Sequence, residues 1–337
     1  MRYFEIPEFG IDHLALAEQE EPAPGTGQVL VKLTGASLNY RDLLVVRGQY
    51  NPRMKLPMIP LSDGAGVVAA VGDGVDRFAP GDQVAGIFMQ GWIDGRIDRK
   101  KAATALGGAI PGVLREYMIF DQEGLVKTPS HLTGIEAATL PCAAVTAWHA
   151  LFEQGSLYPG DTVLVQGTGG VSLFALQFAK AVGCRVMITS SSDDKLARAR
   201  RLGADETINY RANPDWDDAA RKLTAGGGVD QVIEVGGSDT LPRSLKAVRM
   251  GGTVSVIGVL SGVANSVSPT SILMNTTRVQ GIYVGSRAMF ERMNRSIELQ
   301  AMKPVVDRVF PFTEFREALR YMETQQHFGK ICLSFAA

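Results

Sequence analysis

The first third of the chain alternates short runs of β-forming residues with polar turns. The runs VLVKLTGA (29–36), GVVAAVG (66–72) and QVAGIF (83–88) are separated by segments rich in Pro, Gly and Asp. Strands of this length between such turns are typical of a small, largely antiparallel barrel or sandwich. The polar segment 91–112 interrupts the pattern, and we interpret it as a surface excursion that is partly helical over 99–106.

From about residue 134 the spacing of apolar residues changes. IEAATLPCAAVTAWHALFE has helical spacing, and the segments after it alternate strand and helix, beginning with DTVLVQG and SLFALQFAKAVG. Such alternation predicts an α/β fold with a doubly wound parallel sheet, which we place in residues 126–289. Because the C-terminal segment returns to a mixed pattern, residues 1–125 and 290–337 are predicted to form the other domain.

A glycine loop joins the first strand of the predicted parallel sheet to its helix. VLVQGTGGVS places Gly167, Gly169 and Gly170 where a tight turn and close approach to a pyrophosphate both require the absence of a side chain. The helix that begins around Val171 supplies free amides and partial positive charge to phosphates. The third glycine of G-x-G-x-x-G is Ser172, so the position between strand and helix predicts a dinucleotide site; a merely tight turn is the alternative.

The end of the second strand of this sheet bears on which dinucleotide binds. An acidic residue there would bind the ribose 2′-hydroxyl of NAD, whereas this sequence has MITSSS. Ser190 and Ser191 can donate to a 2′-phosphate, and Lys195 supplies charge. Alternatively, Ser192 and Asp193 cap a helix and Lys195 lies on its solvated face. We predict NADP(H) rather than NAD as the cofactor.

Six segments along almost the whole chain carry a family resemblance: SLNYRDLL, PLSDGAGVVAAVG, RFAPGDQV, LPCAAVTAWHAL, QGTGGVSLF and HFGKICL. In this order they resemble the medium-chain dehydrogenase/reductase superfamily, and the zinc-free quinone oxidoreductases are the most similar subgroup. The resemblance implies a GroES-like β-barrel catalytic domain and a Rossmann-type nucleotide-binding domain. It also implies that Lys195 and Tyr210 hold the 2′-phosphate of NADP(H).

The positions that bind zinc in the alcohol dehydrogenases of this superfamily hold other residues here. By the resemblance, a cysteine position falls on Asn39 and the histidine position on Ser62, which leaves Cys142 as the only thiol of the set. One soft ligand does not hold Zn²⁺ in a site with three protein ligands. Residues 89–115, where a structural zinc lobe would fall, contain no cysteine. We therefore predict no metal, with Asp63 organising the turn in PLSDGAG and Cys142 packing in the interior.

The resemblance also indicates which residues face the substrate. It places Asn39 near the nicotinamide and makes Tyr50 a possible hydrogen-bond donor to the substrate. Each residue has a structural alternative, since Asn39 could hold the turn before a helix and Tyr50 could pack at a loop edge with a solvated hydroxyl.

Other positions are predicted to line the cofactor. Thr146 lies in the helix that leads into the glycine loop and is expected to touch the nicotinamide end. Because nucleotides bind beyond the carboxyl ends of parallel strands, backbone around Val235, Val259 and Tyr283 should line the rest. Lys330 could contact a phosphate or lie at a strand edge instead.

Without zinc to stabilise an alkoxide, the substrate should already be electrophilic. Quinones, enones and enals accept hydride at a carbon conjugated to oxygen, and the developing negative charge then requires only positioned donors. We predict an NADPH-dependent, zinc-independent oxidoreductase of such substrates. The alternatives are an NADP-linked alcohol or aldehyde oxidoreductase and a protein that binds NADPH as a sensor or structural component without turnover.

Composition argues against several other classes. The chain has 337 residues, 34 basic and 35 acidic side chains, three cysteines and four scattered histidines. This balance gives no reason to expect nucleic acid or membrane as a partner, and the cysteines do not form a disulfide scaffold. We expect a cytoplasmic protein, since no leader and no stretch of membrane-spanning length is apparent. The resemblance implies a homodimer through the last strand of the parallel sheet, residues 278–285.

Overall fold

The computed structural model describes residues 1–258, 260 and 267–335. The chain divides into two compact units, Met1–Val145 with Gly285–Ala337 and, between them in sequence, Thr146–Val284. The sequence interpretation put the first boundary at 125/126, but residues 126–145 pack within the first unit. There, the Ser37 hydroxyl donates to the carbonyl of Ala138 at 2.9 Å.

The described residues form fifteen β-strands and eleven α-helices, numbered here in chain order. The strands are β1 Arg2–Glu5, β2 Ala15–Glu18, β3 Gln28–Ser37, β4 Asp63–Val71, β5 Gln83–Gly86, β6 Tyr117–Asp121, β7 Leu125–Lys127, β8 Thr162–Gln166, β9 Arg185–Ser190, β10 Glu206–Asn209, β11 Val229–Glu234, β12 Val248–Val256, β13 Arg278–Gly281, β14 Val306–Pro311 and β15 Lys330–Ser334. The helices are α1 Tyr40–Val46, α2 Arg99–Ala102, α3 Gly134–Ala137, α4 Val145–Trp148, α5 Gly170–Ala181, α6 Asp193–Arg201, α7 Trp216–Leu223, α8 Leu241–Ala247, α9 Pro269–Met274, α10 Arg287–Leu299 and α11 Phe315–Glu323.

The second unit contains a six-stranded parallel sheet in the order β10-β9-β8-β11-β12-β13. Central strand β8 is mostly apolar, as expected where helices cover both faces of a sheet, and buries Val163, Leu164 and Val165 completely. The strand order reverses between β8 and β11, and the carboxyl ends of strands at such a reversal are where open α/β sheets bind nucleotides. The predicted doubly wound sheet is confirmed.

The first unit is built around a seven-stranded sheet in the order β14-β15-β3-β4-β5-β7, with β6 also pairing with β3. Its pairs are antiparallel except for β14 with β15, so the predicted barrel-like β domain is confirmed. The polar excursion 91–112 is helical only at Arg99–Ala102. It is anchored to the unit by Trp92, which is 2% exposed, and by Leu106, which is fully buried.

The long helical run predicted from residue 134 is present. Gly134–Glu153 is long and apolar enough to cross a membrane, which the sequence interpretation did not expect of any stretch, but 72% of its apolar window is buried inside the protein. Burial of this kind is typical of the core helix of a globular fold. Two π-helical segments, Leu140–Ala144 and His149–Glu153, interrupt the regular α-helical geometry.

Candidate functional site

The aspartate of PLSDGAG lies at the start of β4, where its carboxylate is completely buried. It accepts hydrogen bonds from the Ser62 hydroxyl at 2.8 Å and from the backbone N–H of Cys142 at 3.3 Å, and the hydroxyl oxygen of Ser37, whose proton goes to Ala138, lies 3.3 Å from Oδ2. Only one of these donors belongs to the turn itself. Asp63 therefore connects β3, β4 and the helical run that starts at residue 134, rather than only organising its own turn.

Lys330, at the start of β15, is the cationic partner of this carboxylate. Its ammonium nitrogen lies 3.6 Å from Asp63 Oδ2 and donates to the carbonyl of Leu38 at 2.8 Å and to Asn39 Oδ1 at 2.7 Å. The side chain is only 3% exposed, so Lys330 is a buried cation and not the strand-edge lysine of the alternative interpretation. Three oxygen atoms surround the ammonium group, and the predicted phosphate contact stays a prediction.

Asn39 caps the N-terminus of α1. Its backbone N–H donates to Asp42 Oδ2 at 2.8 Å, so it does hold the turn before the helix, as the structural alternative suggested. Because an ammonium group can only donate, Lys330 fixes the orientation of the amide, with Oδ1 towards Nζ and Nδ2 on the other side. Asn39 Nδ2 is buried and has no hydrogen-bond partner among the described residues. An unsatisfied buried donor of this kind is unusual in a native structure and is a candidate contact for a bound molecule.

Asp42 and Arg41 extend the buried charges next to Asn39. The Asp42 carboxyl is completely buried, and burial raises its pKa from 3.8 to about 6, with the neighbouring charge of Asp63 acting in the same direction. Arg41 and Lys330 act in the opposite direction but do not cancel the effect of burial. The cluster of Asp42, Asp63, Arg41 and Lys330 combines two acids with two bases.

Tyr50 lies beyond the C-terminus of α1 and keeps 43% of its surface exposed. Its ring is 5.4 Å from the Arg41 guanidinium carbon, and that guanidinium also lies 4.7 Å from the ring of Phe88. Arg41 additionally donates to the carbonyl of Leu106 at 2.7 Å. The guanidinium therefore links the Tyr50 ring to the interior of the unit, and the predicted contact between Tyr50 and substrate remains a prediction.

The residues at the zinc-ligand positions do not fit a zinc ion. Asn39 Oδ1 accepts from Lys330, the Ser62 hydroxyl donates to Asp63, and burial raises the pKa of the Cys142 thiol, which disfavours the thiolate that zinc requires. Within the described ranges, no three His, Cys, Asp or Glu side chains are grouped so that they could hold a metal ion. The Cys142 thiol is buried, as a packing role in the interior requires, although the residue as a whole has intermediate exposure.

In the second unit, the glycine loop lies between β8 and α5, at the reversal of strand order. Gly167 has a φ of +68°, which favours glycine, and a Cβ at Gly167 or Gly169 would meet nothing within 4 Å. The open space in front of the loop and the twelve-residue helix starting at Gly170 fit a dinucleotide pyrophosphate. Ser172, at the third glycine position, donates to the carbonyl of Gln166 at 2.7 Å and so closes the loop from behind.

The residues predicted to recognise the 2′-phosphate lie at or just after the carboxyl ends of β9 and β10. The Tyr210 backbone N–H donates to the Ser190 carbonyl at 3.1 Å, and Lys195 lies in the first turn of α6. Ser192 caps α6, as its alternative role required, and the carboxylate of Asp193 accepts from Asn209 Nδ2 at 2.8 Å. The acid closest to this strand end is thereby engaged with the neighbouring strand.

The remaining predicted cofactor contacts lie in different parts of the second unit. Thr146 is 2% exposed in α4, Val235 directly follows β11, and Tyr283 follows β13 with 40% of its surface exposed. Val259 lies outside the described residues.

One feature that sequence reasoning missed is a buried polar network at the carboxyl ends of β8 and β11. Gln166 and Glu234, the last residues of these strands, are hydrogen-bonded to each other at 2.7 Å. The only sequence signal was a polar residue at the end of each otherwise apolar strand run, in VLVQ and VIE.

Comparisons with known proteins agree with this architecture. The alcohol dehydrogenase GroES-like domain matches residues 25–130, and the domain described as zinc-binding dehydrogenase matches residues 170–298. A zinc-type alcohol dehydrogenase-like protein of Schizosaccharomyces pombe is 45% identical over 96% of both chains. A quinone oxidoreductase-like protein 2 homolog of Nematostella vectensis is 26% identical over 92% of this chain and 82% of its own.

Solved structures are similar over the whole length. A putative alcohol dehydrogenase from Sinorhizobium meliloti has a TM-score of 0.93 and 43% identity, covering 99% of this chain and 98% of its own. An NAD-dependent alcohol dehydrogenase has a TM-score of 0.91 and 35% identity over all of both chains. A mycobacterial protein complexed with NADPH has a TM-score of 0.82 and 26% identity over 99% of both chains.

The two-unit fold, the glycine loop at the strand reversal and these matches define an oxidoreductase class that uses a nicotinamide cofactor. The chain belongs to the medium-chain dehydrogenase/reductase superfamily, which confirms the resemblance and the GroES-like and Rossmann-type domains it implied.

Proposed function

We propose that this protein is an NADPH-dependent, zinc-independent reductase of quinones or α,β-unsaturated carbonyl compounds. The observation that carries the proposal is the neutral, hydrogen-bonded cluster at the zinc-ligand positions. Ser62 donates to Asp63, Lys330 neutralises the carboxylate, and Asn39 Oδ1 is engaged by the same ammonium group. A site of this chemistry favours substrates that need no Lewis acid to accept a hydride.

The residues of the first unit supply hydrogen-bond donors. NADPH, when bound, supplies the hydride, and negative charge develops on the substrate oxygen as its conjugated carbon is reduced. Asn39 Nδ2 offers an N–H that lacks a partner, and hydrogen bonding to that oxygen stabilises the charge. The Tyr50 hydroxyl is the proposed proton donor to the reduced product.

The choice of NADPH over NADH rests on the end of β9. Ser190 and Ser191 stand where an NAD-binding strand ends in an acid, and Lys195 adds positive charge in the adjoining helix turn. Lys195→Ala should raise the KM for NADPH about tenfold and leave that for NADH unchanged, because only NADPH carries the 2′-phosphate. Arg198→Ala, which removes a cation one turn further along α6, serves as the matched control.

The function is tested by following NADPH oxidation with a quinone, an enal and a simple saturated aldehyde, before and after treatment with a chelator. We expect turnover of the quinone or the enal that the chelator does not change. Turnover of the aldehyde alone, abolished by the chelator, would refute the proposal.

The donor role of Asn39 is tested with Asn39→Asp, which keeps an oxygen for Lys330 and removes the N–H donor. We expect kcat to fall about a hundredfold with unchanged NADPH affinity. An unchanged kcat would remove Asn39 from the mechanism.

A second candidate is an alcohol or aldehyde oxidoreductase, favoured by the relatives that carry the name alcohol dehydrogenase. Such an enzyme would use hydroxyl groups and water in place of zinc, and the same assay detects it as aldehyde turnover that survives the chelator. Tight NADPH binding without turnover of any substrate would instead indicate a sensor or structural role.

We also propose a homodimer formed through β13. Among the described residues this strand pairs only with β12, and large apolar side chains are exposed in β12, in α9 and in β13 itself. They are Met250, Leu273, Met274 and Val279, with exposures of 65%, 74%, 68% and 39%. A strand edge with free backbone N–H and C=O groups beside exposed apolar side chains promotes aggregation, so a second copy is the natural occupant. The predicted cytoplasmic location stays a prediction.

A further inference from the structure

The buried network at the ends of β8 and β11 is built around the carboxylate of Glu234, which is completely inaccessible to solvent. Five donors surround the two carboxylate oxygens. Oε1 accepts from the backbone N–H groups of Gly236 and Gly237 at 2.8 and 2.9 Å and from the Thr240 hydroxyl at 2.6 Å. A buried carboxylate with this many donors orders the segment that supplies them, here the loop 235–240.

Gln166 joins this loop to the strand that precedes the glycine loop. Its Nε2 donates to Glu234 Oε2 and to the Ser244 hydroxyl, both at 2.7 Å, and Ser244 in turn donates to the carboxylate. Its Oε1 accepts from the backbone N–H groups of Val235 and Gly236 at 3.3 and 3.2 Å. Since the two backbone N–H groups can only donate and the carboxylate can only accept, the orientation of the Gln166 amide is fixed.

The pair lies at the edge of the sheet where the cofactor is proposed to bind. β8 and β11 are the two strands between which the strand order reverses, and both residues end their strands. The glycine loop starts at Gly167 and the second loop at Val235, directly after the two bonded residues. The hydrogen-bonded pair therefore fixes the distance between the starting points of the two loops. We propose that Gln166 and Glu234 are positioning residues that hold the glycine loop and the loop 235–240 at the spacing required by the two halves of a dinucleotide. This inference rests on the proposed NADPH site.

The hydrogen-bonding pattern predicts that the network survives when Gln and Glu change places at positions 166 and 234, but not when only one of the two residues is substituted. In Glu234→Gln, an amide N–H₂ faces either the Gln166 amide donor or the backbone donors of the loop, so at least one donor loses its acceptor. In the double variant Gln166→Glu/Glu234→Gln, the new carboxylate at 166 accepts from the new amide, from Ser244 and from the loop backbone. Each hydrogen bond of the pair can then form again.

The test measures dissociation constants for NADPH and for adenosine 2′,5′-bisphosphate by calorimetric titration. The bisphosphate carries the adenosine half only, which the proposal assigns to the glycine loop and not to the loop 235–240. We expect Glu234→Gln to raise the dissociation constant of NADPH about tenfold or more, as for one buried donor left unsatisfied. The dissociation constant of the bisphosphate should rise less than about threefold. The double variant should return NADPH affinity to within about threefold of wild type. Near-ultraviolet circular dichroism and melting temperature establish that each variant is folded.

Several outcomes would overturn the proposal: unchanged NADPH affinity in Glu234→Gln, equal weakening of both ligands, or a folded double variant without recovery. If Glu234→Gln does not fold, Ser244→Ala, which removes one donor from the carboxylate, is used instead and should raise the dissociation constant of NADPH about threefold. An unchanged dissociation constant in Ser244→Ala would also overturn the proposal. The wild-type titration separates this inference from the proposed function. A wild type that binds neither NADPH nor NADH refutes both, whereas tight wild-type binding with unaffected variants refutes only the positioning role.

Discussion

The buried carboxyl of Asp42 gives the first unit a stability that depends on pH in a direction opposite to that of most acids. Burial raises the pKa of Asp42 from 3.8 to about 6, so the folded protein binds this proton more tightly than the unfolded chain. Between these two pH values folding takes up a proton, and stability falls as the pH rises. Above about pH 7 the carboxyl is ionised in both states and the contribution is constant.

The magnitude follows from the size of the shift. About two pKa units correspond to about 3 kcal/mol in total, of which about 1 kcal/mol is lost between pH 5 and pH 7.5. Asp42→Asn cannot bind the proton, yet its side-chain oxygen can still accept from the Asn39 N–H. The difference between the unfolding free energies of wild type and variant should therefore fall by about 1 kcal/mol over this interval, a change of about 2 to 4 °C in the difference between their melting temperatures.

The assay is differential scanning calorimetry of wild type and Asp42→Asn at pH 5.0 and pH 7.5. Comparing the two proteins at each pH removes contributions from every group that they share. Asp76→Asn, which removes an exposed carboxylate from the same unit, is the control for a change in net charge. The reasoning fails if the melting temperatures of wild type and Asp42→Asn differ by the same amount at the two pH values. It also fails if the stability of wild type relative to the variant increases as the pH rises.

Two further predictions concern the buried ion pair and the strand edge. Lys330→Met should lower the free energy of unfolding by about 3 to 5 kcal/mol, because it leaves the buried Asp63 carboxylate without its cation. Adding Asp63→Asn should recover much of that loss in chemical denaturation, and no recovery would contradict the pairing. Leu273→Glu combined with Met274→Glu should convert the proposed dimer to a monomer in light scattering, whereas Leu299→Glu, at an 88% exposed position of the first unit, should not.

The sequence predicted the features that depend on local pattern. The glycine loop was apparent because glycines, the apolar run before them and the helical spacing after them lie within about twenty residues, and α5 and β8 occur where that spacing placed them. The boundary near residue 126 was less accurate, because helical spacing does not say which sheet a helix packs on. Residues 126–145 pack with the first unit.

The polar interior of both units was not predictable from local pattern. Lys330 resembles an ordinary lysine at the start of a strand, and only the return of β15 to the edge of β3 brings it to Asn39 and Asp63. Gln166 and Glu234 are far apart in sequence and meet only because β8 and β11 are neighbours in the sheet. Such contacts are set by topology, and one sequence contains little signal for them.

The buried cation also has a consequence for how the protein is made. Lys330 is separated from Asn39 by 291 positions, whereas the second unit is a continuous segment in between. At ribosomal rates of about 5 to 20 residues per second, Lys330 is synthesised on the order of 15 to 60 s after Asn39. During that interval the second unit can fold as it emerges. The N-terminal strands cannot bury the Asp63 carboxylate as an ion pair until Lys330 is present. We therefore expect the N-terminal half of the first unit to be the segment of the nascent chain that most depends on chaperones.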